Sequence, residues 1–219
     1  MKPTFAARLS ARFDKQSLLA PSRPARTLQA SAPGLQRLRS WCEAGAGHDD
    51  PVSALSGPAF TSEPTPAMLP LSIARVACDD PDTGRDTVLA LALDLDGSDA
   101  LAACGSLLSR WQFRLQVKAR DVLPWSVRHR SDPWDCGYLP DTPGALTALE
   151  DFVPRRPTLM VATGLTVAAV NLRLRILVAR RQAFDLPVRL LVLHSSVEPD
   201  DLPVEPSVPC ARIGLVRPG

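Results

Sequence analysis

The residues of this sequence that are best suited to chemistry are two aspartates placed two positions apart. Asp94 and Asp96 stand at the end of an almost entirely apolar run, Thr87–Leu95, and are followed by Gly97 and Ser98. A carboxylate can attack an electrophilic centre such as phosphorus, and a second carboxyl group held beside it can protonate the leaving group. Aspartate and glycine also end strands and cap helices without any catalytic role, so a purely structural interpretation stays open.

The run Asp94–Ser98 (DLDGS) resembles the first motif of haloacid-dehalogenase-like phosphatases, in which a strand delivers Asp-x-Asp-Gly-Thr. The resemblance implies that Asp94 is the nucleophile, that Asp96 is the general acid and that Mg²⁺ binds nearby. It also implies that Thr163, at the end of a later strand, serves as the family's second motif. The family's phosphate-neutralising lysine has no counterpart, because no lysine follows position 118.

The histidines and cysteines form no recognised catalytic or metal-binding pattern. The five cysteines are far apart and include no C-x-x-C pair, and the three histidines lack the spacing of a metal site. We therefore predict reduced thiols, no metal site and no cofactor, apart from the Mg²⁺ that the phosphatase resemblance implies. Whether the protein is an enzyme stays undecided from the sequence.

The N-terminal part of the chain is strongly basic. Residues 1–47 carry eight basic residues against two acidic ones, a net charge of +6, so residues 48–219 carry −4 of the chain's total of +2. A basic arm on a mildly acidic body can contact phosphate, an anionic membrane or an acidic protein surface. Its candidate contact residues are Arg8, Arg12, Arg23, Arg26, Arg37 and Arg39.

Residues 121–141 form a predicted irregular segment that holds a large share of the few aromatic residues. Three prolines interrupt this segment, and its aromatic residues are Trp125, Trp134 and Tyr138. A long loop of this composition either packs over the core or forms a binding surface. We therefore include the three aromatic residues among the candidate binding residues.

Hydrophobic patterning predicts the elements that must position these residues. Leu69–Cys78 and Thr87–Leu95 are predicted to be strands, joined as a hairpin by the turn-rich residues 79–86. Ser98–Trp111 is predicted to be a helix. Apolar and polar residues alternate in Gln112–Arg120, which predicts a half-buried strand.

The C-terminal half gives the strongest structural signal. A short helix over Thr142–Phe152 precedes a buried strand, Thr158–Thr163, a long apolar helix, Leu165–Ala183, and a second buried strand, Pro187–His194. Two strands joined by a helix predict a parallel βαβ unit. Ala211–Val216 is predicted to be an edge strand.

These predictions give an α/β protein with a mixed sheet, which contains an antiparallel hairpin and a C-terminal βαβ unit and is preceded by a flexible basic N-terminal segment. Residues 1–66 are predicted to be a basic, Pro-rich, largely flexible arm and linker, with one short helix over Gly34–Ala44. Residues 67–219 are predicted to be a single α/β domain.

The sequence shows no secretory signal, and its longest apolar stretch is too short to cross a bilayer. We expect a soluble cytoplasmic protein, with mitochondrial targeting as an alternative because the N-terminus is rich in Arg, Ser and Ala. The leading hypothesis is a non-catalytic binding or assembly protein, a complex subunit acting through a protein–protein interface. The alternatives are a Mg²⁺-dependent phosphohydrolase and a nucleic-acid-binding accessory protein that uses residues 2–39.

Overall fold

The computed structural model describes residues 30–45, 69–78, 80–122, 133–139, 141–154, 156–195 and 208–215. The helices in this part of the chain are α1 (Ala32–Ala44), α2 (Pro81–Leu95), α3 (Ser98–Ala103), α4 (Leu107–Val122), α5 (Pro143–Glu150) and α6 (Val167–Arg180), which a 3₁₀ turn (Arg181–Ala183) extends. The strands are β1 (Leu71–Cys78), β2 (Asp135–Tyr138), β3 (Thr158–Thr163), β4 (Val188–Ser195) and β5 (Cys210–Leu215).

The strands form one sheet in the order β2-β3-β4-β1-β5, and every pairing among the described strands is parallel. The predicted mixed sheet with an antiparallel hairpin is therefore wrong. The error comes from two segments, Thr87–Leu95 and Gln112–Arg120, which fold as helices instead of strands. Parallel strands need long crossover connections, and helices supply them here.

Thr87–Leu95 lies within α2, and the start of this helix explains why. The side chain of Asp80 accepts a hydrogen bond from the backbone N–H of Asp82 at 3.1 Å, and Pro81 occupies the first turn, so the helix has a favourable cap. The buried apolar residues of its second half are Val88, Leu91, Ala92, Leu93 and Leu95. Leucine and alanine favour helices, so this apolar run forms a buried helix.

Gln112–Arg120 lies within α4, so the predicted half-buried strand is wrong as well. The predicted helix Ser98–Trp111 is interrupted between α3 and α4. There the Ser106 hydroxyl oxygen accepts a hydrogen bond from the backbone N–H of Ser109 at 3.1 Å, which caps the start of α4. The segment consists mostly of Leu, Gln, Arg and Lys, whose helix propensity outweighs the short alternation of apolar and polar residues.

Most of the other predicted elements are confirmed. Strands β1, β3, β4 and β5 and helices α1, α5 and α6 lie close to their predicted bounds, and the unit of β3, α6 and β4 is parallel. β5 is an edge strand, as predicted. The pattern does not reveal β2, because a four-residue strand that includes Gly137 carries too little periodicity.

Helices cover both faces of the sheet. On one face, α5 and α6 contribute Leu149 and Leu177 to a core that also includes Phe152. On the other face, α1 and α2 contribute Trp41 and Leu91. The strands are thus buried on both sides, as is usual for a parallel sheet. None of the helices in the described part of the chain is long and apolar enough to cross a membrane.

α1 packs on the sheet although its sequence lies in the predicted arm. Trp41 is 2% exposed, and its indole Nε1 donates a hydrogen bond to Ser72 Oγ at 2.9 Å. The buried Arg189 of β4 donates from Nε to the carbonyl oxygen of Cys42 at 3.0 Å and from Nη1 to that of Leu69 at 2.8 Å. A cation at the C-terminal end of a helix also interacts favourably with the helix dipole. The boundary that the sequence predicts at residue 66 stays a prediction.

Candidate functional site

Asp94 and Asp96 lie at the C-terminal end of α2, where both have structural contacts. Asp94 Oδ2 accepts a hydrogen bond from Arg39 Nη1 at 2.8 Å, so this carboxylate forms an ion pair with α1. Asp96 Oδ1 accepts a hydrogen bond from the backbone N–H of Ser98 at 2.7 Å and so stabilises the first turn of α3. The strand end that the phosphatase resemblance requires is replaced by the end of a helix.

Asp96 is buried, and its second carboxylate oxygen, Oδ2, has no hydrogen-bond partner among the described residues. Burial raises the pKa of Asp96 to about 7; the hydrogen bonds from Ser98 oppose this rise, and the negative charges of Asp99 and Asp135 add to it. A carboxyl group that titrates near neutrality is suited to acid–base chemistry only where a substrate can reach it. The burial of Asp96 instead makes it a pH-sensitive structural contact.

Thr163 lies at the carboxyl end of its strand, whereas the two aspartates lie near the amino ends of β2 and β3. The carbonyl of Leu95, at the end of α2, accepts a hydrogen bond from the backbone N–H of Trp134 at 2.9 Å, and the next residue, Asp135, pairs with Thr158 at the start of β3. Thr163 ends β3, and a strand advances ~3.3 Å per residue, so Thr163 lies about 16 Å along β3 from Thr158, the partner of Asp135. The structure therefore does not bring the three predicted catalytic residues together.

The residues at the end of α2 do not fit the Mg²⁺ that the resemblance implies. Mg²⁺ needs near-octahedral coordination by carboxylate oxygens, water and substrate phosphate. Asp94 is instead bonded to a guanidinium group, and Asp96 is buried. Among the residues that the structure describes, no group of three or more His, Cys, Asp or Glu side chains could hold a metal ion. No phosphoryl-transfer step follows from this arrangement.

α/β proteins usually bind their ligands at the carboxyl ends of the strands of a parallel sheet. In this chain the side chain of Asp80 lies at that place after β1. β1 ends at Cys78 and α2 begins at Pro81, so the turn is very short. The Asp80 carboxylate accepts hydrogen bonds from the backbone N–H of Asp82 at 3.1 Å and from Thr83 Oγ1 at 2.7 Å. A carboxylate of the chain thus occupies the helix N-terminus at which other α/β proteins bind phosphate.

The sequence of this turn also differs from that of a phosphate-binding loop. Residues 79–86 (DDPDTGRD) stand where a phosphate-binding loop between a strand and a helix would have G-x-x-x-x-G-K-[ST]. Gly84 matches, but Arg85 replaces the lysine and Asp86 replaces the hydroxyl residue. Gly84 has a packing reason of its own, because a Cβ atom there would approach Cys78 Sγ to 2.6 Å. Both observations argue against a nucleotide phosphate at this turn.

The candidate binding residues occupy several different places. Arg37 and Arg39 lie on the exposed side of α1, and Arg39 is ion-paired within the chain. Trp134 is buried in the core, and Tyr138 is largely buried, which raises the pKa of its hydroxyl. Both aromatic residues therefore contribute mainly to packing. The candidates that lie outside the described residues are Arg8, Arg12, Arg23, Arg26 and Trp125.

α4 presents a surface that the sequence pattern does not reveal. Its exposed large apolar side chains are Leu107 (83% exposed), Leu108 (73%), Trp111 (62%) and Leu115 (45%). Because each helical residue turns the chain by about 100°, these four fall within one arc of about 100°; we call this surface the α4 apolar face. The opposite side of α4 contacts the chain, since Phe113 packs on Leu101 and Arg110 Nε donates to the carbonyl oxygen of Cys104 at 3.1 Å.

Comparison of the chain with protein-family models, with curated proteins and with solved structures finds no match. The function must therefore be argued from the residues themselves. The two aspartates and the turn after β1 have contacts within the chain that account for them. The α4 apolar face has no such contact among the described residues. The fold therefore does not explain why these large apolar side chains are exposed.

Proposed function

We propose that the protein is a non-catalytic binding or assembly protein that acts through a protein–protein interface, and that the α4 apolar face is its contact surface. The observation that carries this proposal is the exposure of four neighbouring large apolar side chains on one helix. Large contiguous apolar patches on protein surfaces mark interaction sites, whereas single exposed apolar residues are common everywhere. Tryptophan is also among the residues that contribute most to binding energy at interfaces.

The free energy available from covering this face is large enough to matter. Full burial of a leucine side chain contributes about 1.5–3 kcal/mol. Leu107 and Leu108 are 83% and 73% exposed, so most of this contribution is still available to a partner. Ser109 and Gln112 are exposed beside them. An apolar centre with polar residues around it is the usual composition of a protein–protein interface.

The alternatives receive less support from the described residues. The phosphohydrolase alternative needs Asp94 and Thr163 within contact distance, but they lie near opposite ends of β3. The nucleic-acid alternative uses residues 2–39 and predicts an affinity that falls steeply with salt. The ion pair between Arg39 and Asp94 occupies one of its candidate phosphate contacts.

The test is affinity capture with the full chain from lysate of the native host, treated with nuclease. Trp111→Glu places a charge in the middle of the α4 apolar face. Leu172→Glu is the matched control, because it places the same charge on an exposed apolar residue of another helix, Leu172 of α6, which is 47% exposed. We expect a stoichiometric protein partner with the wild type and with Leu172→Glu, and its loss with Trp111→Glu.

Thermal unfolding of the variants accompanies the capture, since an exposed substitution should leave the folded state intact. Equal recovery of the partner by the wild type and by Trp111→Glu would show that α4 is not the contact. Recovery of nucleic acid in place of protein, when the nuclease is omitted, would favour the arm of residues 2–39 and contradict the proposal.

A further inference from the structure

We infer that Asp96 makes the connection between α2 and α3 a pH-sensitive hinge. It holds α3, and with it α4, most firmly while its carboxyl group carries a proton, and it loosens both helices as the proton is lost. This inference does not depend on the proposed function. Asp96 caps the end of α2, and its Oδ1 accepts a hydrogen bond from the backbone N–H of Ser98 at 2.7 Å. One side chain therefore joins the end of one helix to the start of the next.

The way in which α4 is attached to the body is the second support. α3 packs against α2, and its Leu101 is fully buried. Phe113 of α4 packs on Leu101, and Arg110 Nε donates to the carbonyl oxygen of Cys104 just after α3. Among the described residues, α4 does not pack on the strands of the sheet to a comparable extent. The position of α4 therefore depends on that of α3, and α3 depends on its first turn.

Gly97 allows the connection to move. It lies between α2 and α3 with a φ of 78°, in the left-handed region that favours glycine. Its carbonyl oxygen accepts a hydrogen bond from the backbone N–H of Leu101 at 2.8 Å, so it belongs to the first turn of α3. Hinges are a few residues at the ends of elements that absorb a change of dihedral angles. Gly97 is suited to this role, with the Asp96 side chain as the contact that resists the change.

The surroundings of the Asp96 carboxyl group favour its protonated form. Asp96 is 4% exposed, and its Oδ2 has no hydrogen-bond partner among the described residues. A buried carboxylate with an unsatisfied oxygen is costly when it is charged. Burial is the main cause of the raised pKa of about 7; hydrogen bonds from Ser98 oppose the rise, and the charges of Asp99 on α3 and Asp135 on β2 add to it.

The other ionisable groups in this part of the molecule do not supply the missing charge. Cys136 of β2 is buried, and burial together with the charge of Asp96 raises the pKa of its thiol, which therefore stays neutral. Arg156, just before β3, lowers the pKa of Cys136. Arg39 of α1 forms an ion pair with Asp94. The charged groups that act on Asp96 itself are therefore carboxylates.

The direction of the pH effect follows from the two states of the hinge. With α3 in place, the pKa of Asp96 is about 7, and in water it returns towards 3.8 when α3 moves away. Between these values, opening of the hinge releases a proton, so each rise of one pH unit favours opening by up to about tenfold. α3 and α4 are therefore held most firmly in acid, and their attachment weakens until the pH reaches about 7.

Hydrogen exchange of the full chain, followed by mass spectrometry between pH 5 and pH 8, tests the inference. The rates are corrected for the intrinsic pH dependence of amide exchange. We expect the amides of α3 and of the first turns of α4 to lose protection by at least about tenfold between pH 5 and pH 7, with little further loss above pH 7. At every pH they should exchange faster than those of β4, because local opening needs less free energy than global unfolding.

Low concentrations of urea separate the two kinds of opening. Urea acts in proportion to the surface that an opening exposes, so it should speed the exchange of β4 more than that of α3 and α4.

Two variants identify the titrating group. Asp96→Asn keeps an oxygen that accepts from the Ser98 backbone N–H but removes the titration, so protection of α3 and α4 should change by less than about threefold over the same pH range. Asp99→Asn is the matched control, because it makes the same change on an exposed residue of α3. It should keep the pH dependence, which should end at a slightly lower pH because one charge that raises the pKa of Asp96 is gone.

Three results would overturn the inference. The first is a pH dependence as large in Asp96→Asn as in the wild type. The second is constant protection of α3 and α4 in the wild type between pH 5 and pH 7. The third is exchange of α3 and α4 at the rate of β4 with the same sensitivity to urea, because the two helices would then open only with the whole chain. If Asp96→Asn does not fold, the wild type alone distinguishes the expected result from the last two.

Discussion

α1 and α4 are built alike, yet the described residues cover the apolar face of only one of them. Each has a leucine and a tryptophan three positions apart, Leu38 and Trp41 in α1 and Leu108 and Trp111 in α4. Trp41 is 2% exposed and Trp111 is 62% exposed. Removing apolar surface from water is favourable wherever a neighbour can cover it. The sequence of an amphipathic helix therefore shows that its apolar face favours a covering surface, but it does not show which surface covers it.

Polar contacts hold α1 against the sheet. The Trp41 indole donates to Ser72, and Arg189 donates to the carbonyl of Cys42, so both the face and the end of α1 are fixed to the sheet. The described contacts of α4 lie on the side of Phe113, away from the apolar face. These contacts explain how α1 adds to stability, and they support the proposal that α4 serves binding.

The largest expected effect tests this division directly. Trp41→Ala should lower the free energy of unfolding by about 3–5 kcal/mol, because it opens a cavity in the core and leaves the Ser72 hydroxyl without its indole donor. Trp111→Ala should change it by less than about 0.5 kcal/mol, because the side chain is largely in water. Urea unfolding of both variants, followed by circular dichroism, measures the two values.

Similar losses for the two tryptophans would contradict the division and would mean that α4 is covered in solution. Leu172→Ala is a matched control, since Leu172 is exposed on a helix that is otherwise well packed. Its effect should resemble that of Trp111→Ala.

A smaller effect concerns Asp96, which supports the start of α3 and therefore the connection to α4. The pKa of Asp96 is raised by burial from 3.8 to about 7. Between these values the folded state keeps a proton that the unfolded chain releases, so the stability contributed by Asp96 is lost as pH rises from about 4 to about 7. Asp96→Asn removes this dependence and should stabilise the protein by about 1–3 kcal/mol at pH 8 and much less at pH 4.

Urea unfolding at several pH values measures the difference between Asp96→Asn and the wild type. Asp185→Asn is the control, because Asp185 is exposed and remote from α3 in sequence. A constant difference between Asp96→Asn and the wild type across the pH range would show that the carboxyl group does not titrate on folding.

How much of the fold the sequence predicts depends on which signals compete. The βαβ unit of β3, α6 and β4 is predictable because strand, helix and strand differ in length and periodicity. The run Thr87–Leu95 is not, because a continuous apolar stretch fits a buried strand and a buried helix equally well. The residues before this run distinguish the two structures, since Asp80 followed by Pro81 is a common helix start. Read with that signal, the segment favours a helix.

The candidate site is harder to predict than the fold. Residues 112–117 alternate between polar and apolar, so they indicate a strand, whereas Leu108, Trp111 and Leu115 follow the helical period. Even the correct helix would predict burial of its apolar strip, because most amphipathic helices bury theirs within the chain. Exposure is a property of the tertiary arrangement, which no local pattern contains. The reverse holds for Asp94 and Asp96, whose spacing suggests a catalytic pair. Their structural contacts, the ion pair with Arg39 and the cap at Ser98, do not show in the sequence pattern.

The smallest expected effect concerns the contact that joins α1 to α2. Arg39 and Asp94 are bonded at 2.8 Å, but their side chains are 55% and 33% exposed, so water and salt screen the pair. Asp94→Asn and Arg39→Ala should each lower the free energy of unfolding by less than about 1 kcal/mol, and the double variant should be little worse than either single one. Arg37→Ala, on the same helix, is the control.

The same Asp94→Asn variant also separates a structural role from a catalytic one. As an ion-pair member, Asp94 should affect only stability, and the effect should shrink as salt is raised. As a nucleophile, it would be required for any Mg²⁺-dependent hydrolysis of p-nitrophenyl phosphate. We expect no hydrolysis that depends on Asp94, because the carboxylate is held by a guanidinium group at the end of a helix and Thr163 lies at the far end of β3 from the residues that contact this helix end. Activity that is present in the wild type and lost in Asp94→Asn would reverse the assignment and move the functional centre of the molecule from α4 to the end of α2.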